Sequence, residues 1–548
     1  MAVLRPGQGS STEMEFNLAD LFEGVVDAVP DRDALYAEGR RLTFRQLDAR
    51  ANRLAHYFLS VGVAPGDHIG CHMMNGTEYL ETMLALFKIR AVPVNVNFRY
   101  VEDELLYLYK DADLKGVVFD TEFADRVSAV LPRVDAVRHL VAVGPADGYA
   151  LPEGSVAYDD ALAGQSDDRD GFPVRSAGDL FVIYTGGTTG MPKGVMWRHE
   201  DIFFAGIGGG YPMGEPLAKP SDAGPRAAAN SPMVSFPAPP LMHGAAELGS
   251  FINFMGGGKV VLVRRYTGHS ALALIEQEKV NTLTIVGDAM ALPLVDALAE
   301  KEYDVSSLVA LASAGAILSQ PLRDLIAKRL PNVFVIDSFG STETGFNGTA
   351  AAGSQPSEGL KFAVNERTSV FDDDRKPVQP GSGVVGRVAQ RGHIPVGYYG
   401  DPVKTAETFV EIDGERWVLL GDMATVEADG SMRFLGRGSI CINSGGEKIY
   451  PEEVEGALKS HPDLVDAVVA GIPDERWGQR VAAVLQTRPG AAVPTQEEIE
   501  QHLASRIARY KVPRFLHAVE TMQRSPSGKP DYGWATKVLT EAAAGAPA

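Results

Sequence analysis

Phosphate handling is the first chemistry these residues suggest. The apolar run Phe181-Val182-Ile183-Tyr184 reads as a strand and leads into Thr185-Gly186-Gly187-Thr188-Thr189-Gly190-Met191-Pro192-Lys193-Gly194. Glycines let a backbone turn sharply and aim successive N–H groups at one anion. The hydroxyls of Thr185, Thr188 and Thr189 add donors, and Lys193 adds a positive charge. No Gly-Lys-Ser/Thr follows, so this is not a Walker A loop. A strand opening into a run of one consistent chemistry is more than a flexible surface loop supplies.

Such a loop has to be held by rigid elements, and the surrounding pattern supplies them. Apolar residues at 47, 51, 54, 55, 58 and 59 recur at helical spacing and predict a helix over 44–61. His68–Met73 and Val92–Val96 read as strands on either side of a helix at 77–90. Further on, Lys259–Val263, Thr282–Val286, Leu308–Ser313 and Val333–Asp337 read as strands, with helices at 269–279, 289–300 and 319–330 between them. Ser319 followed by Pro321 is a helix-start signal. This alternation predicts α/β architecture: doubly wound parallel sheets whose ligands sit where strands end in loops. Past Gly436 the pattern changes. A helix starting at Tyr450-Pro451, strands at 464–471 and 480–486 and a helix at 495–509 predict a separate α+β unit. The Pro-, Gly- and Ala-rich stretch 211–232 reads as a long loop or lid, residues 1–14 as a disordered start and 542–548 as a frayed tail.

Further motifs follow the loop in order. They are Pro239-Pro240-Leu241-Met242-His243-Gly244, Ser313-Ala314-Gly315-Ala316-Ile317, Asp337-Ser338-Phe339-Gly340-Ser341-Thr342-Glu343-Thr344-Gly345, Gly421-Asp422, the run from Gly436-Arg437 to Glu455, and Ser525-Pro526-Ser527-Gly528-Lys529. Together they resemble the adenylate-forming superfamily of acyl-CoA synthetases, luciferases and peptide-synthetase adenylation domains, over residues 15–535. The resemblance implies a large ATP- and acyl-binding domain at 15–436, a hinge at 437–440 and a small mobile domain at 441–541.

The same resemblance implies roles. Thr185, Gly186, Gly187, Thr188, Thr189, Gly190 and Lys193 would cradle ATP phosphates. His243 would lie near the acyl carboxylate, and Gly315-Ala316 along the adenine. Asp337, Ser338 and Ser341 would belong to the nucleotide site, Thr342 would touch the α-phosphate, and Glu343 with Thr185 would hold magnesium. Asp422 would hold the ribose hydroxyls and Arg437 ribose or phosphate. Gly445 and Gly446 would line the route of the CoA arm, and Lys529 would be the catalytic lysine of adenylation. Two positions depart from the family pattern: Leu420 stands where a Thr usually precedes Gly-Asp, and Ile440 where the hinge is usually charged.

The implied reaction joins a carboxylic acid to CoA through acyl-AMP, with ATP and magnesium, releasing AMP and pyrophosphate. Delivery to a carrier protein instead of CoA is the alternative, and a catalytically silent nucleotide-binding scaffold a third reading. The joint presence of Lys193, Glu343, Asp422 and Lys529 opposes the last. Phe236–Leu248 contains no Asp, which disfavours an amino-acid substrate. Small residues at 206–210, 245–246 and 345–352 suggest a wide acyl pocket. The wording of 196–201 and 287–291 resembles actinobacterial ligases of steroid side-chain acids and fatty acids.

Composition sets the limits. The 548 residues carry 71 acidic and 51 basic side chains, a net charge of −20, which excludes a generic nucleic-acid binder. Residues 438–548 hold fourteen acids and twelve bases, so the preceding part carries −18. The basic side chains of Arg506, Arg509, Lys511 and Arg514 form either a solvated helix end or a rim for CoA or ATP phosphates. Two cysteines, no apolar leader and no run of about 20 apolar residues predict a soluble cytoplasmic enzyme. A homodimer is left open. Gly381–Gly386 fits a dinucleotide pattern but follows no strand, and His199-Glu200 lacks a second His at helical spacing, so neither is expected to bind.

Overall fold

Four sheets organise the chain. The computed structural model describes residues 14–185, 191–211, 214–316, 318–350, 361–362, 366–444, 447–474, 478–504, 506–524 and 529–545. In the first sheet the strands run in the order 397–398, 194–198, 180–184, 92–95, 68–72, 114–120, 139–143, 155–157. All its pairings are parallel except those of Gly194–Arg198 with Leu180–Tyr184 and with Gly397–Tyr398. The second sheet runs 345–349, 334–341, 310–314, 282–285, 234–237, 259–262, 33–37, 40–43, parallel except at its two ends. This is the doubly wound arrangement the sequence predicts.

Helices fill the layers around these two sheets. The largest apolar cluster joins Leu35, Val260 and Leu262 of one sheet to Ile69, Phe181 and Val195 of the other. Between them lie helices Leu18–Ala28, Phe44–Ser60, Thr77–Lys88 and Gly244–Met255. The opposite face of the second sheet is covered by Gly268–Glu278, Gly287–Glu300 and Gln320–Arg329, and that of the first by Glu102–Asp111 and Ala124–Val130. Both sheets are therefore buried on two faces, which is why their central strands read as unbroken apolar runs.

The third sheet has no counterpart in the sequence reading. It is antiparallel, ordered 361–362, 432–437, 415–426, 386–391, 368–371, with 409–412 paired to 415–426. The fourth comprises 447–449, 442–444, 478–487 and 464–474, with 515–518 added parallel to 478–487. A single turn of 3-10 helix, Gly438–Ile440, lies between the two.

Three local expectations need correction. The stretch 211–232 contains helix Ala223–Ala229 packed on Leu18–Ala28 rather than being one long loop. A Cβ on Gly224 would fall 2.5 Å from Gly24 O, so glycine here permits close helix contact. Arg32 closes the end of that helix by donating to Ala227 O and Ala228 O at 2.8 and 3.1 Å. The helix expected to reach 509 stops at Leu503, where Arg506 donates back to His502 O at 2.5 Å. The last helix, Tyr532–Gly545, runs into the segment expected as a tail, and Leu539 and Ala535 bury against Val468 and Val484. Residues 1–13 and 546–548 lie outside the described residues.

Candidate functional site

A cleft open to solvent lies between the second, third and fourth sheets. Its wall begins where strand Ala310–Ala314 ends. Gly315 there has φ +76°, a left-handed backbone that suits glycine, and a Cβ on it would meet Lys529 Cε at 3.7 Å. Ala316, Asp337 and Ser338 continue the wall, Asp422 enters from strand Glu415–Val426, and Lys529 enters from the chain's last loop. Six residues singled out from sequence thus share one cleft. Asp422 is buried and stands in register with Arg437 on the neighbouring strand. The Asp337 carboxylate is engaged by the Arg323 guanidinium, whose Nε donates to Leu318 O at 3.1 Å. Asp337 therefore offers its backbone and position to the cleft more than a free charge.

A second cluster lies at the end of the first sheet. Thr185 N–H donates to Lys193 O at 3.0 Å and closes the base of the glycine-rich loop. Lys193 Nζ sits 3.2 Å from Asp401 and 5.5 Å from the centre of the Tyr398 ring. The Tyr398 hydroxyl donates to Glu343 Oε1 at 3.0 Å. Glu343 reaches this place because strand Phe334–Ser341 turns tightly into Gly345–Thr349. A Cβ on Gly340 would lie 2.2 Å from Gly345 O. Thr344 fixes the turn, its Oγ1 accepting from Ser341 N and Asn347 Nδ2 at 3.1 and 2.9 Å. The buried Trp197 donates from Nε1 to Thr342 O at 2.9 Å. Glu343 thus shares Tyr398 with Lys193, and Ser341, Thr342 and Glu343 stand outside the residues that line the cleft.

His243 caps the start of helix Gly244–Met255 on a segment clamped by two asparagines. Asn75 donates to Pro239 O at 3.1 Å and accepts from Leu241 N–H at 2.7 Å. Asn95 donates to Tyr184 O and Met242 O at 2.9 and 2.7 Å and accepts from Tyr184 N–H at 2.7 Å. One side chain therefore ties the strand before the glycine-rich loop to the histidine segment. Burial, then the charges of Lys529 and Arg99, pull the His243 imidazole down to about 4, so it is neutral at pH 7. Its Nε2 is buried without a hydrogen-bond partner. A buried polar atom in that state is costly unless a ligand completes it.

Gly186, Gly187, Thr188, Thr189, Gly190, Gly445 and Gly446 lie outside the described residues, as do Ile317 and the Ser525–Gly528 part of the last motif. Among the described residues no group of three or more His, Cys, Asp or Glu side chains forms a metal site. A single carboxylate such as Glu343 fits an ion that arrives with most of its ligands. The glycines at 206 and 345 pack tightly: a Cβ would fall 2.7 Å from Ile202 Cδ1 at Gly206 and 2.6 Å from Ala205 O at Gly345. Their small size serves close approach of segments. Of the basic cluster, Lys511 is paired with Glu453 at 2.6 Å. Gly386 opens a strand rather than a helix, and His199 is a buried residue whose Nδ1 accepts from Leu18 N–H at 3.3 Å. Sequence reasoning missed Tyr398, Asn75 and Asn95. Each acts on residues distant in the chain, and nothing local marks them.

Comparison with known proteins agrees with this geometry. Residues 22–399 match the AMP-binding enzyme family, and residues 453–529 match the AMP-binding enzyme C-terminal domain. The chain is 48% identical over 538 residues to a medium/long-chain-fatty-acid–CoA/3-oxocholest-4-en-26-oate–CoA ligase of Mycolicibacterium smegmatis, covering 96% of this chain and 97% of the relative. It is 47% identical over 533 residues to the 3-oxocholest-4-en-26-oate–CoA ligase of Rhodococcus rhodochrous, covering 95% and 96%. The fold matches the anthranilate CoA ligase AuaEII bound to anthranoyl-AMP with a TM-score of 0.82, at 23% identity over 96% of this chain and 98% of that one. With its motifs in order and its cleft assembled, the chain belongs to the AMP-binding enzyme family.

Proposed function

We propose that this chain is an AMP-forming acid–thiol ligase that activates medium- or long-chain fatty acids and 3-oxosteroid side-chain acids as CoA thioesters. The observation that carries the reading is the cleft shared by Lys529, Asp422, Asp337, Ser338, Gly315 and Ala316. The substrate class rests on the relatives 47–48% identical over nearly the whole chain.

In the first half-reaction a carboxylate oxygen attacks the α-phosphorus of ATP. The new O–P bond forms as the bond to pyrophosphate breaks, giving acyl-AMP. Both reactants are anions, so alignment and fixed positive charge do most of the work. Lys529 stands at the cleft wall to neutralise charge developing between carboxylate and phosphate. Asp422 takes the ribose hydroxyls, and Gly315-Ala316 form the surface for the adenine. Lys193, Thr185 and the residues that follow hold the β- and γ-phosphates. Neutral His243 offers its unpartnered nitrogen to the acid without adding a competing charge.

Magnesium fits as an ion carried by the nucleotide, with Glu343 and Thr185 as protein contacts. When bound it neutralises phosphate charge. Tyr398 orients the Glu343 carboxylate for that contact. In the second half-reaction CoA thiolate attacks the acyl carbon, the carbon–oxygen bond to phosphate breaks, and AMP leaves. Turning the small domain about 437–440 withdraws Lys529 and brings in the segment bearing Gly445 and Gly446. That movement is part of the proposal.

The test is a panel of fatty acids of graded length and 3-oxosteroid side-chain acids with ATP, magnesium and CoA, read by mass spectrometry. CoA thioesters and AMP are expected. Acyl-AMP that accumulates despite CoA, and is consumed by a carrier protein, would replace this reading with the carrier-protein one.

A further inference from the structure

The lower end of the cleft is built from ionisable groups that none of the steps above uses. Asp288 opens helix Gly287–Glu300 in the large domain, and Lys459 follows helix Pro451–Leu458 in the small one. Their charged atoms stand 3.7 Å apart, with both side chains no more than 8% exposed. Asp288 Oδ1 accepts from Ser319 N–H at 2.7 Å, while Oδ2, on the side of Lys459, makes no hydrogen bond. Lys459 is shared with Asp466 at 3.1 Å, and Asp466 in turn pairs with Arg524. Glu455 completes the small-domain side, accepting from Val469 N–H at 2.9 Å and from the Tyr532 hydroxyl at 3.4 Å. On the large-domain side, burial lowers the pKa of the Arg323 guanidinium, and the charge of Asp288 opposes that shift only in part.

Two features make this more than a surface ion pair. First, the charges are buried, so separating them in place leaves a desolvated ion. Secondly, the pair spans the two domains. It stands where Lys459, Arg524 and Glu455 line the same cleft as Lys529. Any rotation that carries Lys529 out of the cleft must pull Lys459 from Asp288.

We infer that Asp288 and Lys459 form an interdomain latch that holds the small domain in the adenylating orientation and must open before the thioester step. Asp288 is a positioning residue: it touches no reacting atom and acts by keeping Lys529 in the cleft. Without its charge, the adenylating orientation is less populated and the alternative more so.

This inference rests on the two-step reading above, so its test has one readout that does not. In the full chain, Asp288→Asn keeps the shape and the acceptor for Ser319 N–H while removing the charge. Pyrophosphate release without CoA is expected to fall by about tenfold, the scale of one lost charge-assisted contact. Thiolysis of supplied acyl-AMP is expected to be unchanged or faster. Lys459→Gln should split the half-reactions the same way, and the double variant should be no worse than the poorer single one. Independently of activity, amide exchange in the nucleotide-free protein should rise in both 451–458 and 318–326 for either variant. Half-reactions that fall together, or exchange that rises only around the substituted residue, would overturn the latch. A parent that releases no pyrophosphate with any acid would overturn the enzymatic reading; the exchange result would still decide the latch.

Discussion

Two ion pairs in this molecule use the same residue types under opposite conditions. Lys193 and Asp401 meet at 3.2 Å with side chains 37% and 38% exposed. Lys459 and Asp466 meet at 3.1 Å with side chains 8% exposed. Water screens the first pair, which contributes under about 1 kcal/mol, so Lys193 leaves Asp401 readily when a phosphate arrives. The second has lost its water, and removing one partner strands the other. The exposed cation is therefore suited to meeting ligand and the buried one to fixing geometry. In an acidic chain of −20, that division decides where a scarce positive charge is useful.

Lys529 tests the ligand-facing side most severely. Lys529→Ala should lower acyl-AMP formation by roughly 10²–10³-fold, the cost of losing a preorganised charge. Thiolysis of supplied acyl-AMP should survive. Equal loss in both half-reactions would place Lys529 outside the proposed role. On the buried side, Lys459→Ala should cost about 3 kcal/mol of stability in chemical denaturation. A loss within a few tenths would mean that Asp466 is fully served by Arg524, and the contrast between the two pairs would weaken.

Tyr398 joins the two conditions, since its ring is buried while its hydroxyl holds Glu343. Tyr398→Phe keeps the ring and removes the hydroxyl that holds Glu343. About a tenfold fall in kcat with a raised magnesium requirement is expected. An unchanged magnesium dependence would separate Tyr398 from metal handling.

Six residues of the cleft were legible in sequence, through the ordered motifs that carry the family resemblance. Gly315, Ala316, Asp337, Ser338, Asp422 and Lys529 were singled out individually and meet in space. Their supports were not legible. Tyr398 reaches Glu343 only because Gly397–Tyr398 pairs with Val195 and Met196, two hundred residues earlier. The antiparallel third sheet escaped for a similar reason. Its strands are short or one-sided, and its partners are set by register rather than by any local period. The alanine-rich helix at 223–229 was hidden by the Pro and Gly around it, although alanine is the strongest helix former. Asp288 stood inside a noted sequence motif, but only the fold places Lys459 beside it.

Glu247 sharpens the buried side by its pH dependence. It lies one helical turn beyond His243, accepts from the Tyr79 hydroxyl at 3.3 Å and has an unpartnered Oε2. Burial raises its carboxyl to about 8. The folded state thus favours the proton more than the unfolded chain does. The associated stability is full below about pH 4.5 and is lost as pH rises through 8. Glu247→Gln cannot titrate, so its melting temperature should gain on the parent's by about 2–4 °C between pH 6 and 9. A constant gap across that range would show that Glu247 does not hold the proton.

Asp401 gives the smallest effect and isolates charge from structure most cleanly. Its Oδ1 accepts from Lys404 N–H at 2.8 Å and caps helix Pro402–Thr408, while Oδ2 faces Lys193. That N–H, ahead of Lys193 itself, holds the carboxyl below its usual value. Asparagine caps a helix as well as aspartate does. Asp401→Asn should therefore leave the fold within about 1 kcal/mol of the parent while freeing Lys193. The KM for ATP should fall by about two- to threefold at low salt and converge with the parent's at high salt, where screening already loosens the pair. If KM rose instead, Asp401 would be aligning Lys193 rather than competing with phosphate, and the exposed pair would be doing the positioning assigned to the buried one.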